Sequence, residues 1–118
     1  MSQSMNKTVD CVVKAASYHG LTTYGQIMVG DCAFEFYNDR NTSDYIQIPW
    51  TEVSYVSALL FGKKICRFAI HTKKDGDFSF SARDAKKVLR AVREYVPADK
   101  ILRSLTMLDV LKKKIKGE

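Results

Sequence analysis

The chain has 118 residues, 46% of them hydrophobic, which suits one domain with a core of its own and leaves little for a second. The formal net charge of +6 is unevenly spread: residues 1–61 carry three basic against six acidic residues (−3), and residues 62–118 carry sixteen against seven (+9). The longest apolar run, residues 53–61, is interrupted by Ser54 and Ser57 and falls far short of the ~20 residues a membrane-spanning helix needs. The polar start "MSQSMN" reads as no secretory leader, so a cytoplasmic protein is expected.

Along the chain, the first half alternates with period two. "TVDCVVKAASY" places Val9, Cys11 and Val13 on one face, and "YGQIMVG" runs into a turn at Asp31. "AFEFYN" turns Phe34 and Phe36 inward and Glu35 outward. A polar stretch follows, and "DYIQIPW" resumes with Ile46 and Ile48 inward until Pro49, which cannot donate to a ladder. "EVSYVSALLF", "ICRFAIHT" and "FSFS" are three more strands, joined by turns at Gly62 and at the Asp75-Gly76 pair. Cys66, Phe68 and Ile70 are read on one side, with Arg67 and His71 on the other. Seven short strands in so little chain favour a barrel or sandwich over a doubly wound sheet.

The period then changes. Ser81 or Asp84 can cap a helix in which Val88, Leu89, Val92, Tyr95 and Val96 form a helical stripe, and Pro97 ends it. Pro97 also fits the first turn of a second helix, with Ile101, Leu105, Leu108, Leu111 and Ile115 as its apolar stripe and a "KKKIKGE" end. The expected architecture is therefore mainly β: a barrel of about seven antiparallel strands capped by a C-terminal helix over residues 1–96, then a basic amphipathic helical tail over 97–118.

Little in the sequence asks for chemistry. Cys11, Cys32 and Cys66 have no paired spacing and read as small buried hydrophobes. His19 reads as a loop residue and His71 as an outward strand residue. Neither has a glycine-rich cradle for phosphate, and two histidines so far apart make a poor metal site. Asp39 and Asp44 share one loop, but Asn38, Asp39, Asn41, Ser43 and Asp44 are the types that bond their own backbone in turns. The serines and cysteines show no base nearby in sequence. No enzyme and no cofactor is expected. Recognition residues are expected on the loop and its aromatic borders (Tyr37, Asp39, Arg40, Trp50) and on the basic half (Lys73, Lys74, Lys86, Lys87, Arg90, Lys112, Lys113, Lys114). The hairpin and helix carrying the first five of those cations are expected to lie close together.

The run from "GQIMVGDCAFEFYN" through "YIQIPWTEVSYV" to "RFAIHTKKDGDFSFSARDAKKVLRAV" resembles bacterial pleckstrin-homology and GRAM-type domains. The segments "FEFYNDRNTSDYIQIPW", "RFAIHTKKDGDFSFSARDAKKVLRA" and "EYVPADKILRSLT" also resemble a small family encoded beside mannose-type phosphotransferase-system operons in Gram-positive bacteria. That resemblance implies an accessory or regulatory protein and does not imply phosphotransfer by this chain. Its basic face would meet membrane-embedded transporter components or the anionic inner leaflet. A nucleic-acid-binding regulator of the sugar operon is the alternative, although no helix-turn-helix pattern is visible. An edge strand left open would also be able to pair two copies as a homodimer.

Overall fold

Alternation between apolar and polar residues produces seven antiparallel strands in the order expected. The computed structural model describes residues 4–41 and 43–105. Its strands are β1 (Val9–Ser17), β2 (Thr23–Gly30), β3 (Ala33–Asn38), β4 (Tyr45–Pro49), β5 (Val53–Phe61), β6 (Lys64–Thr72), β7 (Asp77–Ala82) and β8 (Ile101–Leu105). One helix, α1 (Ala85–Val92), follows β7. All the strands join one sheet in the order β4-β3-β2-β1-β7-β6-β5-β8. Its pairings are antiparallel except for β5 with β8, which is parallel.

This mixed sheet is open in its hydrogen bonding: β4 stands at one end and β8 at the other, where a barrel of seven antiparallel strands was expected. It is nevertheless bent over on itself. β3 and β6 are four strands apart, about 19 Å in a flat sheet. Phe34 of β3 meets Phe68 of β6 with ring centroids 6.2 Å apart, and Phe80 of β7 at 5.1 Å. The fold line is β1, which pairs with β2 along its whole length and with β7 only through residues 15–17. The inward residues of both halves, Ile27, Val29, Phe34, Phe36, Ile48, Val56, Phe68, Ile70 and Phe80, fill the space between them. Burial of this apolar surface, at about 25 cal/mol per Å², is the main force that holds the halves together.

α1 closes one side of this core. The Asp84 carboxylate accepts the Lys87 amide at 3.1 Å and caps its start. Ala85, Val88, Leu89 and Val92 are buried beneath it, with Val96 beyond its end, as the stripe requires. Helix geometry ends before Pro97, but the expected second helix does not follow. A single 3₁₀ turn (Ala98–Lys100) leads into β8, which lies along β5 from Val56 to Leu60. Ile101 and Leu105 are four residues apart, so they share a face in a strand as readily as in a helix. The open edge of β5 decides between the two by offering backbone partners. Residues 101–105 thus belong to the sheet. The remaining stripe positions, Leu108, Leu111 and Ile115, lie outside the described residues.

Two cysteines differ from expectation. Cys11 is buried, whereas Cys32 and Cys66 are exposed. Cys32 sits in the β2–β3 turn. Cys66 occupies an irregularity where Leu59 pairs with Arg67 and Leu60 with Ile65, and this breaks the alternation that would have turned it inward.

Candidate functional site

The polar stretch between β3 and β4 is built as a turn. The Asn38 side chain accepts the Arg40 amide at 2.8 Å and donates to Asp44 Oδ2 at 3.0 Å, while Asn41 Oδ1 accepts the Ser43 amide. The Asp39 amide donates to the Tyr24 carbonyl. Asp39 and Arg40 border a shallow hollow with Thr22–Tyr24, and Asp44 faces a different one, so the two carboxylates do not converge. Trp50, also expected to recognise a partner, is half-buried. Its indole N–H donates to the Gly30 carbonyl at 2.9 Å, and its ring stacks on Tyr95 at 5.0 Å, joining the sheet to the segment after α1. Tyr95 in turn donates to Asp10, and that bond pushes its pKa up to about 12.

Tyr37 belongs to a buried polar cluster that strand alternation did not reveal. Glu35 lies on the outward face of β3, as its position dictates, yet it is fully buried because residues 4–6 cross over it. Its Oε1 accepts from Ser4 Oγ at 2.6 Å and Asn6 Nδ2 at 2.8 Å. Its Oε2 accepts from the Met5 amide at 2.9 Å, Tyr37 Oη at 2.8 Å and Gln47 Nε2 at 3.0 Å. Asn6 Oδ1 also takes the amides of Cys32 and Ala33, and Asp31 takes those of Lys7 and Thr8. The Thr8 amide foremost, then that of Lys7, holds the Asp31 carboxyl below its ordinary range. Burial raises the Tyr37 hydroxyl. These contacts fasten the N-terminal segment to the sheet. The only sequence signal was a carboxylate between two phenylalanines with an amide, Gln47, opposite it.

The basic residues separate into two groups. Lys73 and Lys74 lie on the turn before β7, whereas Lys86, Lys87 and Arg90 lie on α1, after its far end. β7 spans Asp77–Ala82, about 17 Å at strand rise, so the expected neighbourhood of hairpin and helix does not form. The Lys73–Lys74 end instead adjoins a cavity of about 400 Å³ that His19, Asp44, Glu52 and Asp75 help to line. At the opposite end Lys86 meets three other cations, Lys63, Lys64 and Arg83. They surround a groove of about 390 Å³ with Ile65, Ala82 and Ala85 on its floor. Asp84 also lines it, with one oxygen already taken by the helix cap. Among the described residues no lysine or arginine forms an ion pair, so these four cations are unpaired and outnumber the single acid, Asp84, that lines the groove with them. Lys87 and Arg90 border a neighbouring hollow shared with Asp10, Glu94 and Tyr95. Lys112, Lys113 and Lys114 lie outside the described residues.

His71 is outward on β6, as expected, but it is not isolated. Its Nδ1 lies 2.8 Å from Asp77 Oδ1 and its Nε2 2.7 Å from Ser57 Oγ. Tyr55 stacks on the ring at 4.0 Å and 10°. A serine thus does have a base beside it, contrary to the sequence reading. The residues are 14 and 6 positions from His71 and meet only because β5, β6 and β7 are adjacent.

The architecture defines a mainly-β domain built, among the described residues, on one open mixed sheet with one α-helix. Within that class the chain belongs to the family described as "Domain of unknown function (DUF956)", whose model matches residues 1–115. No curated protein matches the sequence. Among solved structures, the C-terminal domain of an unknown protein from Leishmania infantum is similar in fold, with a TM-score of 0.64 and 11% identity over 75% of this chain and 83% of that one. No helix among the described residues is long and apolar enough to cross a membrane.

Proposed function

We propose that this chain is a non-catalytic binding module that meets an anionic partner through the groove of Lys63, Lys64, Arg83 and Lys86. The observation that carries this reading is the convergence of four unpaired cations on one concavity with a small apolar floor. Like charges gathered this way raise the local potential, and an anion entering the groove relieves the repulsion. Lys87 and Arg90 extend the positive surface along α1. The resemblance to proteins encoded beside mannose-type phosphotransferase operons supports an accessory or regulatory role. The partner is then a membrane-embedded transporter of that class or the anionic inner leaflet around it. The bent order β4-β3-β2-β1-β7-β6-β5, followed by a helix, supports reading the domain as pleckstrin-homology-like. Each cation brought to an anionic leaflet contributes about 1 kcal/mol, so four give reversible, salt-sensitive adhesion.

The test is co-sedimentation of the full chain with phosphatidylglycerol-containing vesicles, with neutral vesicles, and with membranes containing the transporter. Pelleting should need the anionic or transporter-bearing membrane, fall with salt, and be lost when Lys63, Lys64, Arg83 and Lys86 are all changed to Glu. Lys112→Glu/Lys113→Glu/Lys114→Glu measures the tail separately. Undiminished pelleting of the groove variant removes the groove from the mechanism. Retardation of operon DNA at low salt, lost in the same variant, would establish the nucleic-acid alternative instead.

A further inference from the structure

The geometry points to Ser57 as an activated nucleophile that accepts a short acyl group from an activated ester, a covalent modification site separate from the basic groove. A serine hydroxyl is a poor nucleophile alone and needs a positioned base, which in turn needs a group to fix its tautomer. All three parts are present. With Asp77 Oδ1 accepting the hydrogen bond from His71 Nδ1–H at 2.8 Å, Nε2 carries the lone pair and the Ser57 hydroxyl donates to it at 2.7 Å. Tyr55, stacked parallel to the imidazole at 4.0 Å, fixes the plane of the ring. The His71 side chain is only 15% exposed, against 64% for Asp77, so the base is held in a packed setting while its orienting carboxylate faces solvent.

The surroundings of Ser57 define what it can take. Ser57 is half-buried between Tyr55, two residues before it on the same face, and Leu102, its register partner on β8. Tyr55 and Leu102 are both substantially exposed and make apolar shoulders suited to a short acyl chain. In the reaction Ser57 Oγ forms a bond to the acyl carbon while its proton passes to His71 Nε2. The carbon–oxygen bond to the leaving group then breaks, the leaving group departs with the electron pair, and the proton on His71 goes to water. Ser57 lies in the ladder with β6 on one side and β8 on the other, so the neighbouring backbone amides are committed to strand pairing. Without a donor to hold the oxyanion, both acyl-transfer steps lack that stabilisation; an activated ester still reacts because its leaving group is good, whereas the serine ester has a poor one, so its hydrolysis is slow and the acyl group remains. The arrangement therefore supports stoichiometric acylation, not turnover, and is consistent with a binding module.

The experiment treats the full chain with p-nitrophenyl acetate and maps acetylation by peptide mass spectrometry, with the surface lysines as an internal reference. Ser57 should gain one acetyl group. His71→Asn should slow this by about 10²-fold, the usual contribution of a positioned base, with lysine acetylation unchanged. Thermal melts confirm that each variant is folded. If His71→Asn does not fold, Asp77→Asn at the exposed end of the relay serves in its place and should slow Ser57 labelling by at least about tenfold through the wrong tautomer. An unmodified Ser57 alongside acetylated lysines, or labelling at the same rate in the folded base variant, overturns the proposal.

Discussion

Replacing Glu35 by Gln tests how the N-terminal segment is held. The carboxylate accepts five hydrogen bonds, and every one of its partners is a donor. Gln keeps the shape but turns one acceptor oxygen into an NH₂ group. On the Oε2 side that group would face the Met5 amide, which cannot reverse its polarity. On the Oε1 side Ser4 can rotate to accept, but Asn6 cannot flip without losing its bonds to the Cys32 and Ala33 amides. The lower-cost choice therefore leaves one donor facing another and removes the negative charge from the remaining bonds. Hydrogen bonds to a charged group contribute about 1.5–3 kcal/mol each, and relief of carboxylate desolvation offsets part of the loss. The net destabilisation comes to about 2–4 kcal/mol, a fall in Tm of roughly 10–25 °C for a domain of this size. Thermal unfolding followed by circular dichroism measures it. A Tm within about 2 °C of wild type, or a rise, would refute the assignment of Glu35 as the tether.

Three further outcomes follow from other contacts. With a thiol reagent, Cys32 and Cys66 should label quickly and Cys11 slowly, because burial both hides the Cys11 thiol and raises its pKa; mass spectrometry over time reads this, and equal rates contradict the packing. Tyr95, held protonated by Asp10, has a folded pKa of about 12 above the ordinary value of 10.0, so its contribution to stability is fully present below pH 10 and is lost as pH rises towards 12. Ultraviolet titration should show Tyr95 and Tyr37 titrating late, and in Asp10→Asn only the Tyr95 step should become ordinary. Gly25→Ala should destabilise by about 2 kcal/mol or more in urea melts, because a Cβ there would stand 1.9 Å from the Tyr37 carbonyl oxygen and force β2 and β3 apart.

Much of the fold was legible in the chain because strand and helix periodicities are local. The alternations of β1 to β7, the Asp84 cap and the stripe of α1 each depend on residues within a few positions of one another, whereas α1 itself stops at Val92, before Pro97. Turn chemistry in residues 38–44 was readable for the same reason. Residues 101–105 were not, since their spacing suits helix and strand equally and only the vacant edge of β5 selects a strand. The burial of Glu35, the gathering of Lys63, Lys64, Arg83 and Lys86, and the contact of Ser57 with His71 and Asp77 likewise escape a linear reading. Each joins segments whose proximity depends on strand order and on the bend at β1. Local pattern thus set β1 to β7 and α1, the charge they carry and most of their apolar faces. The tertiary structure decided which outward residues become neighbours, because in a folded sheet that is set by pairing between strands and not by distance along the chain.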